Sequence, residues 1–141
     1  MIGRRTIFAA LVVLVVGTLF AQAAFAGSPH FIKSSISVTR TNDSLTVSGR
    51  ESGLGDEPTV DISFTATALC INNGGHHPKA VNKESVSASG EFTVNNGTAN
   101  FSLTATATFS PPCSPPMTVE FTDLVLTDTS NGLSLSIPGT F

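Results

Sequence analysis

The chain has no tryptophan and no tyrosine, and only 12% of its 141 residues are charged. Without these two aromatics it lacks the usual ring platforms on which carbohydrate-binding modules and glycosidases stack sugars. After residue 26, five bases (Lys33, Arg40, Arg50, Lys79 and Lys83) stand against ten acids, with no basic cluster. That balance argues against nucleic acid or an anionic lipid surface as a partner. No stretch after residue 26 repeats its apolar residues at helical spacing, and no second long apolar run follows the first. Cysteine is limited to Cys70 and Cys113, too far apart for a CxxC redox motif or for close zinc spacing.

The N-terminus is more informative. Arg4 and Arg5 precede an apolar run from Ile7 to Phe20, and Ala24-Phe25-Ala26 supplies a small-x-small signal. This is the pattern of a secretory signal peptide. Cleavage after Ala26, with Ala24 and Ala26 as the recognised small residues, predicts a 1–26 signal peptide and a single domain over 27–141. The twin arginines also outline a twin-arginine signal, but the strongly apolar core favours the general secretory route. The run falls short of the roughly 20 apolar residues of a spanning helix, so no membrane span is expected in the mature form. An exported chain with an even cysteine count usually pairs them, and closing a loop of this length stabilises a fold by about 4 kcal/mol on the chain-entropy model. A Cys70–Cys113 disulfide is the expectation; a metal or redox pair is the competing reading.

Two-residue alternation dominates the rest, the sign of half-buried strands. Ile32, Ser34, Ile36 and Val38 predict one face of a first strand, ended by a turn at Asn42-Asp43. Leu45 and Val47 face inward in a second. After a loop at 52–56, Val60, Ile62, Phe64, Ala66, Ala68 and Cys70 form the inner face of the strongest strand. A Gly- and Asn-rich loop covers 72–78. A weaker strand runs from about Val81 to Ser89, with a bend or bulge at Gly90 and a new element from Phe92. Asn95-Asn96-Gly97 suits a type I′ hairpin. Ala99 through Phe109, taken alternately, form another long inner face. The Pro-rich segment 110–116 cannot be a central strand. Val119, Phe121, Leu124 and Leu126 all look inward, and one strand to about Thr127 is expected. Asn131-Gly132 is a second hairpin signal before a last strand with Leu133, Leu135 and Ile137. About eight strands result, and the expected fold is all-β: an Ig-like antiparallel β-sandwich.

Several segments carry a resemblance: Ser28-Pro29-His30-Phe31, Ser52-Gly53-Leu54-Gly55-Asp56, Ala68-Leu69-Cys70-Ile71-Asn72-Asn73-Gly74-Gly75, His77-Pro78, Asn82-Lys83, the Pro-Pro-Cys loop, Leu126-Thr127-Asp128-Thr129, Asn131-Gly132 and Pro138-Gly139-Thr140-Phe141. Together they resemble a group of small secreted bacterial proteins, mainly actinobacterial, with no assigned function. The resemblance implies an exported single β-domain and no particular activity.

Four chemistries are worth weighing. His76 and His77, joined by His30, could offer imidazoles to Cu²⁺ or Zn²⁺, but a stable zinc site takes three or four ligands. The rest would have to be carboxylates such as Asp56 or Glu57; a solvated Gly-rich turn is the simpler reading, and no cofactor is expected. Asp56 with Glu57, and Glu120 with Asp123, are the only acid pairs to test for glycoside hydrolysis, which needs two carboxyls across a cleft. No serine sits in Gly-x-Ser-x-Gly, so nothing points to a Ser/His/Asp triad. The loop around Cys113, with Pro111, Pro112, Ser114, Pro115 and Pro116, is the best binding surface, because a stapled Pro-rich loop loses little entropy on docking. The expectation is a secreted, disulfide-stabilised module that binds a protein or an envelope polymer without catalysis. A metal-binding domain using His76 and His77, and a small protease-inhibitor-like protein presenting the Cys113 loop, are the alternatives.

Overall fold

The computed structural model describes residues 27–72 and 82–141. The signal segment, with Ala24 and Ala26, lies outside the described residues. Eight strands are present: β1 His30–Phe31, β2 Ser37–Thr41, β3 Ser44–Ser52, β4 Thr59–Ile71, β5 Lys83–Asn95, β6 Thr98–Thr106, β7 Thr118–Asp128 and β8 Leu133–Ile137. Every pairing is antiparallel. The described part is thus all-β apart from one 3-10 turn at Lys33–Ser35, and no helix in it is long and apolar enough to cross a membrane.

The strands follow one path, β1-β3-β6-β5-β4-β7-β8, with β2 sharing the β1 edge of β3. The join between its halves is short. β5 pairs with β4 along most of its length, and only Val94 and Asn95 reach across to Ala99 and Thr98 of β6. The hairpin there is the expected one: Asn96 and Gly97 have φ of 50° and 71°, the two positive values that a type I′ turn requires. The result is nearly a barrel, left open between β2 and β8.

Alternation explains the packing. β4 reads buried at Val60, Ile62, Phe64, Ala66, Ala68 and Cys70, and β6 at Ala99, Phe101, Leu103 and Ala105. These faces, with Leu45 and Val47 of β3 and Val119, Phe121, Leu124 and Leu126 of β7, form one apolar cluster. Phe64 and Phe121 are its largest fully buried side chains; truncating either to alanine is the class of change that costs about 3–5 kcal/mol. Outward hydroxyls pair across strands, Ser44 with Thr106 and Thr46 with Thr104, each at 2.8 Å.

Three local expectations are corrected, and a fourth holds through an irregularity. The first strand is split, because Ser35 leaves the ladder: its hydroxyl donates to the Ile32 carbonyl and accepts the Arg50 N–H, standing in for a backbone partner. Gly90 does not bend the chain; β5 is continuous, and Gly90 sits opposite Ile62 with the Phe92 ring folded over it. β6 stops at Thr106, so Ala107 is buried and Phe109 half-buried outside any strand. β7 is the expected single strand with Val119, Phe121, Leu124 and Leu126 all inward, although the inward set changes parity between Phe121 and Leu124. A bulge absorbs the extra residue: Asp123 takes φ 53° and the β4 register shifts between Thr65 and Thr67.

Candidate functional site

The connection 107–117 is held from three sides. Cys113 is bonded to Cys70 near the end of β4, with Cα atoms 5.7 Å apart. The Ala107 N–H donates to the Asp43 carbonyl at 2.8 Å, and the Thr108 N–H donates to the Glu84 carboxylate. Between these anchors Pro111, Pro112, Ser114, Pro115 and Pro116 are all exposed. Met117 folds back under them; its N–H donates to the Ser114 carbonyl at 3.0 Å, and its sulfur lies 3.7 Å from that of Cys70.

The loop forms one wall of a hollow of about 590 Å³, with Cys113, Pro115 and Met117 facing Arg40, Asn42 and Asp43 of the β2–β3 hairpin. The Arg40 guanidinium crosses the opening between β2 and β7 to donate to the Val119 carbonyl. The hollow therefore offers a cation, an anion, an amide and a thioether on a stapled frame.

The other sequence candidates are scattered. His76 and His77 lie outside the described residues. His30 is exposed, its Nδ1 2.7 Å from the Ser28 carbonyl oxygen. Among the described residues no group of three or more His, Cys, Asp or Glu side chains is placed to hold a metal ion. Asp56 is exposed in the loop before β4, whereas Glu120 and Asp123 sit on β7, where Asp123 accepts from the Thr122 hydroxyl at 3.0 Å.

A different acid pair is buried, and sequence reasoning passed over it. Glu51 of β3 and Asp128 of β7 are both fully enclosed. Asp128 has donors: its Oδ1 accepts the Ser130 and Asn131 N–H groups at 2.8 and 3.1 Å, and its Oδ2 accepts the Asn131 amide at 2.8 Å. The same amide reaches Glu57 at 3.3 Å. Neither Glu51 oxygen has a hydrogen-bond partner among the described residues. Burial first, then the neighbouring Asp128, then the charge of Glu57 push the Glu51 carboxyl up to about 8. At neutral pH the Glu51 carboxyl is therefore mostly protonated. Strand parity was the available signal: Glu51 continues the inward series Leu45, Val47, Gly49, and Asp128 continues Leu124, Leu126.

The chain matches no protein-family model, no curated protein and no solved structure.

Proposed function

We propose that the protein is an exported, non-catalytic binding module, an Ig-like sandwich of two facing ladders. It works outside the cytoplasm or at the cell envelope by presenting the 107–117 connection to a protein or an envelope polymer. One observation carries this reading: an exposed proline loop, stapled to β4 by a disulfide, walls a hollow lined by Arg40, Asn42 and Asp43. Preorganisation of that kind reduces the ordering cost of association. The disulfide also fits an oxidising compartment, in keeping with the signal-like N-terminus.

The test is retention. Oxidised protein is immobilised and exposed to the producer's envelope fraction and culture supernatant, beside two variants, Asp43→Lys and the Pro115→Gly/Pro116→Gly pair. Saturable retention of one protein or polymer by the native protein, lost in both variants, is the expected result. Retention of nothing by folded protein, or equal retention by the variants, would overturn the assignment.

A further inference from the structure

A second surface lies along the opening between β2 and β8, beyond the Arg40 crossing. A groove of about 420 Å³ runs there, and Lys33 is its one charged lining residue. Ile36 and Val38 line one wall; Leu135, Ile137 and Phe141 line the other. All five are only partly buried and pack directly on the core cluster. Along this line the core is not sealed.

No described residue covers the strand beside the groove. Among the described residues β8 pairs with β7 alone, so its other edge is bare. Proteins blunt such edges with charge, proline, bulges or a covering segment, because a bare edge is a template for another strand. β8 reads Leu-Ser-Leu-Ser-Ile, has neither charge nor proline, and pairs with β7 in unbroken register. β2 across the groove does carry Arg40.

Two unmet demands thus occur side by side: backbone N–H and C=O groups along β8, and apolar side chains repeating every second residue. An aliphatic ligand meets only the second. An extended peptide meets both, because its backbone groups and alternate side chains repeat with the same period as the edge. Lys33 adds a sign: an occupant with a carboxylate near one end complements it.

We propose that the β8 edge and its groove bind an extended segment of a partner protein as an added strand, with alternate apolar residues inserted and an acidic residue facing Lys33. The site is separate from the Cys113 hollow and stands or falls without it.

The probe is an acetylated, amidated octapeptide of alternating Val and Thr with a Glu at each end, titrated into the isotopically labelled oxidised protein. Three arms accompany it: the same peptide N-methylated at alternate positions, a version with Lys at both ends, and the Lys33→Glu protein. Lys33 is exposed, and the variant's fold is checked by its amide spectrum. Saturable shifts are expected in the amides of Leu133–Ile137. N-methylation should weaken binding at least about tenfold, since it removes donors and keeps the side chains. Lys33→Glu should weaken the Glu-ended peptide by about three- to tenfold and favour the Lys-ended one. Four results would each overturn the proposal: no saturation with folded protein; equal binding of the N-methylated peptide, meaning a groove for apolar ligands only; no exchange of preference with Lys33→Glu; or a concentration-dependent dimer that excludes the peptide, meaning a second copy covers the edge.

Discussion

Glu51 on β3 and Asp128 on β7 are both enclosed in the interior, on ladders that share no direct strand pairing, and Asp128 helps to raise the Glu51 carboxyl toward its protonated form. Burial and the nearby acid both disfavour a second negative charge there. The proton on Glu51 therefore belongs to the folded state, at the end where Asp128 holds the β7–β8 turn.

The first prediction is a pH dependence of stability. The folded Glu51 carboxyl holds its proton up to about pH 8, whereas its ordinary value is 4.5. Between those two values the unfolded chain has released a proton that the folded chain keeps. The folded state binds more protons there, so stability falls as pH rises, by about 1.4 kcal/mol per unit for this group. Below the ordinary value both states are protonated and the loss disappears. Glu51→Gln keeps the size and shape of the side chain but does not titrate. Urea unfolding at pH 5 and pH 8 should show the variant gaining on the native protein at the higher pH. Parallel curves would mean that Glu51 is ionised in the fold.

The second concerns Asp128. Its carboxylate accepts from two backbone N–H groups and one side-chain amide of the β7–β8 turn. Asp128→Ala removes both acceptor oxygens and with them three hydrogen bonds, but Ser130 and Asn131 are exposed and water can replace part of the loss. The expected cost is about 1–2 kcal/mol. Amide exchange at Ser130 and Asn131 should accelerate. The variant should also lower the Glu51 pKa, because Asp128 raises it in two ways. Unchanged exchange at those two amides would remove Asp128 from its turn-holding role.

Much of this fold is legible in the residues, for a physical reason. β4 and β6 alternate over nearly their whole length because one face meets the core and the other meets water, and hairpins at Asn96-Gly97 and Asn131-Gly132 follow from residues that tolerate positive φ. The failures share a cause as well. Ser35 interrupts a ladder through a local backbone choice that alternation does not encode. Gly90 looks like a break when read alone, yet the register with β4 and the ring of Phe92 make it an ordinary strand position. The Cys113 loop was visible through its prolines and its pairing partner. Its hollow was not, because Arg40, Asn42 and Asp43 approach from a hairpin about 70 residues earlier, as their numbering shows. Glu51 was readable by parity but carries a charge-bearing side chain, and such residues are seldom fully buried without a partner.

The third prediction tests how β2 closes over the core. Gly49 lies opposite Phe101 in the β3–β6 ladder. A Cβ at Gly49 would stand 2.6 Å from Ile36 Cδ1 and 3.0 Å from Phe101 Cζ. The Ile36 methyl can rotate away, but the ring edge has less freedom, so Gly49→Ala should cost about 1–3 kcal/mol. The displaced Ile36 is a wall of the β2–β8 groove, so the variant should also alter the amide shifts of β2 and β8. A melting temperature equal to that of the native protein would show that the β2 side yields without strain.

The fourth prediction separates the two roles of the disulfide. It closes a separation of 43 residues, worth about 4 kcal/mol on the chain-entropy model. Cys70→Ala with Cys113→Ala should therefore lower stability by several kcal/mol. The damage to the native state should be uneven. β7 is paired with β4 from Thr118 onward, and Arg40 still reaches the Val119 carbonyl, so the ladders on either side should persist. The 107–117 connection loses its covalent anchor and keeps only the Ala107 and Thr108 hydrogen bonds at its start and the Met117 turn at its end. Limited proteolysis of the folded double variant should thus cut within 110–116 first, while the oxidised native protein resists there. If cleavage instead begins in β7 or β8, the bond holds the sheet rather than the loop, and the preorganised surface proposed for binding loses its physical basis.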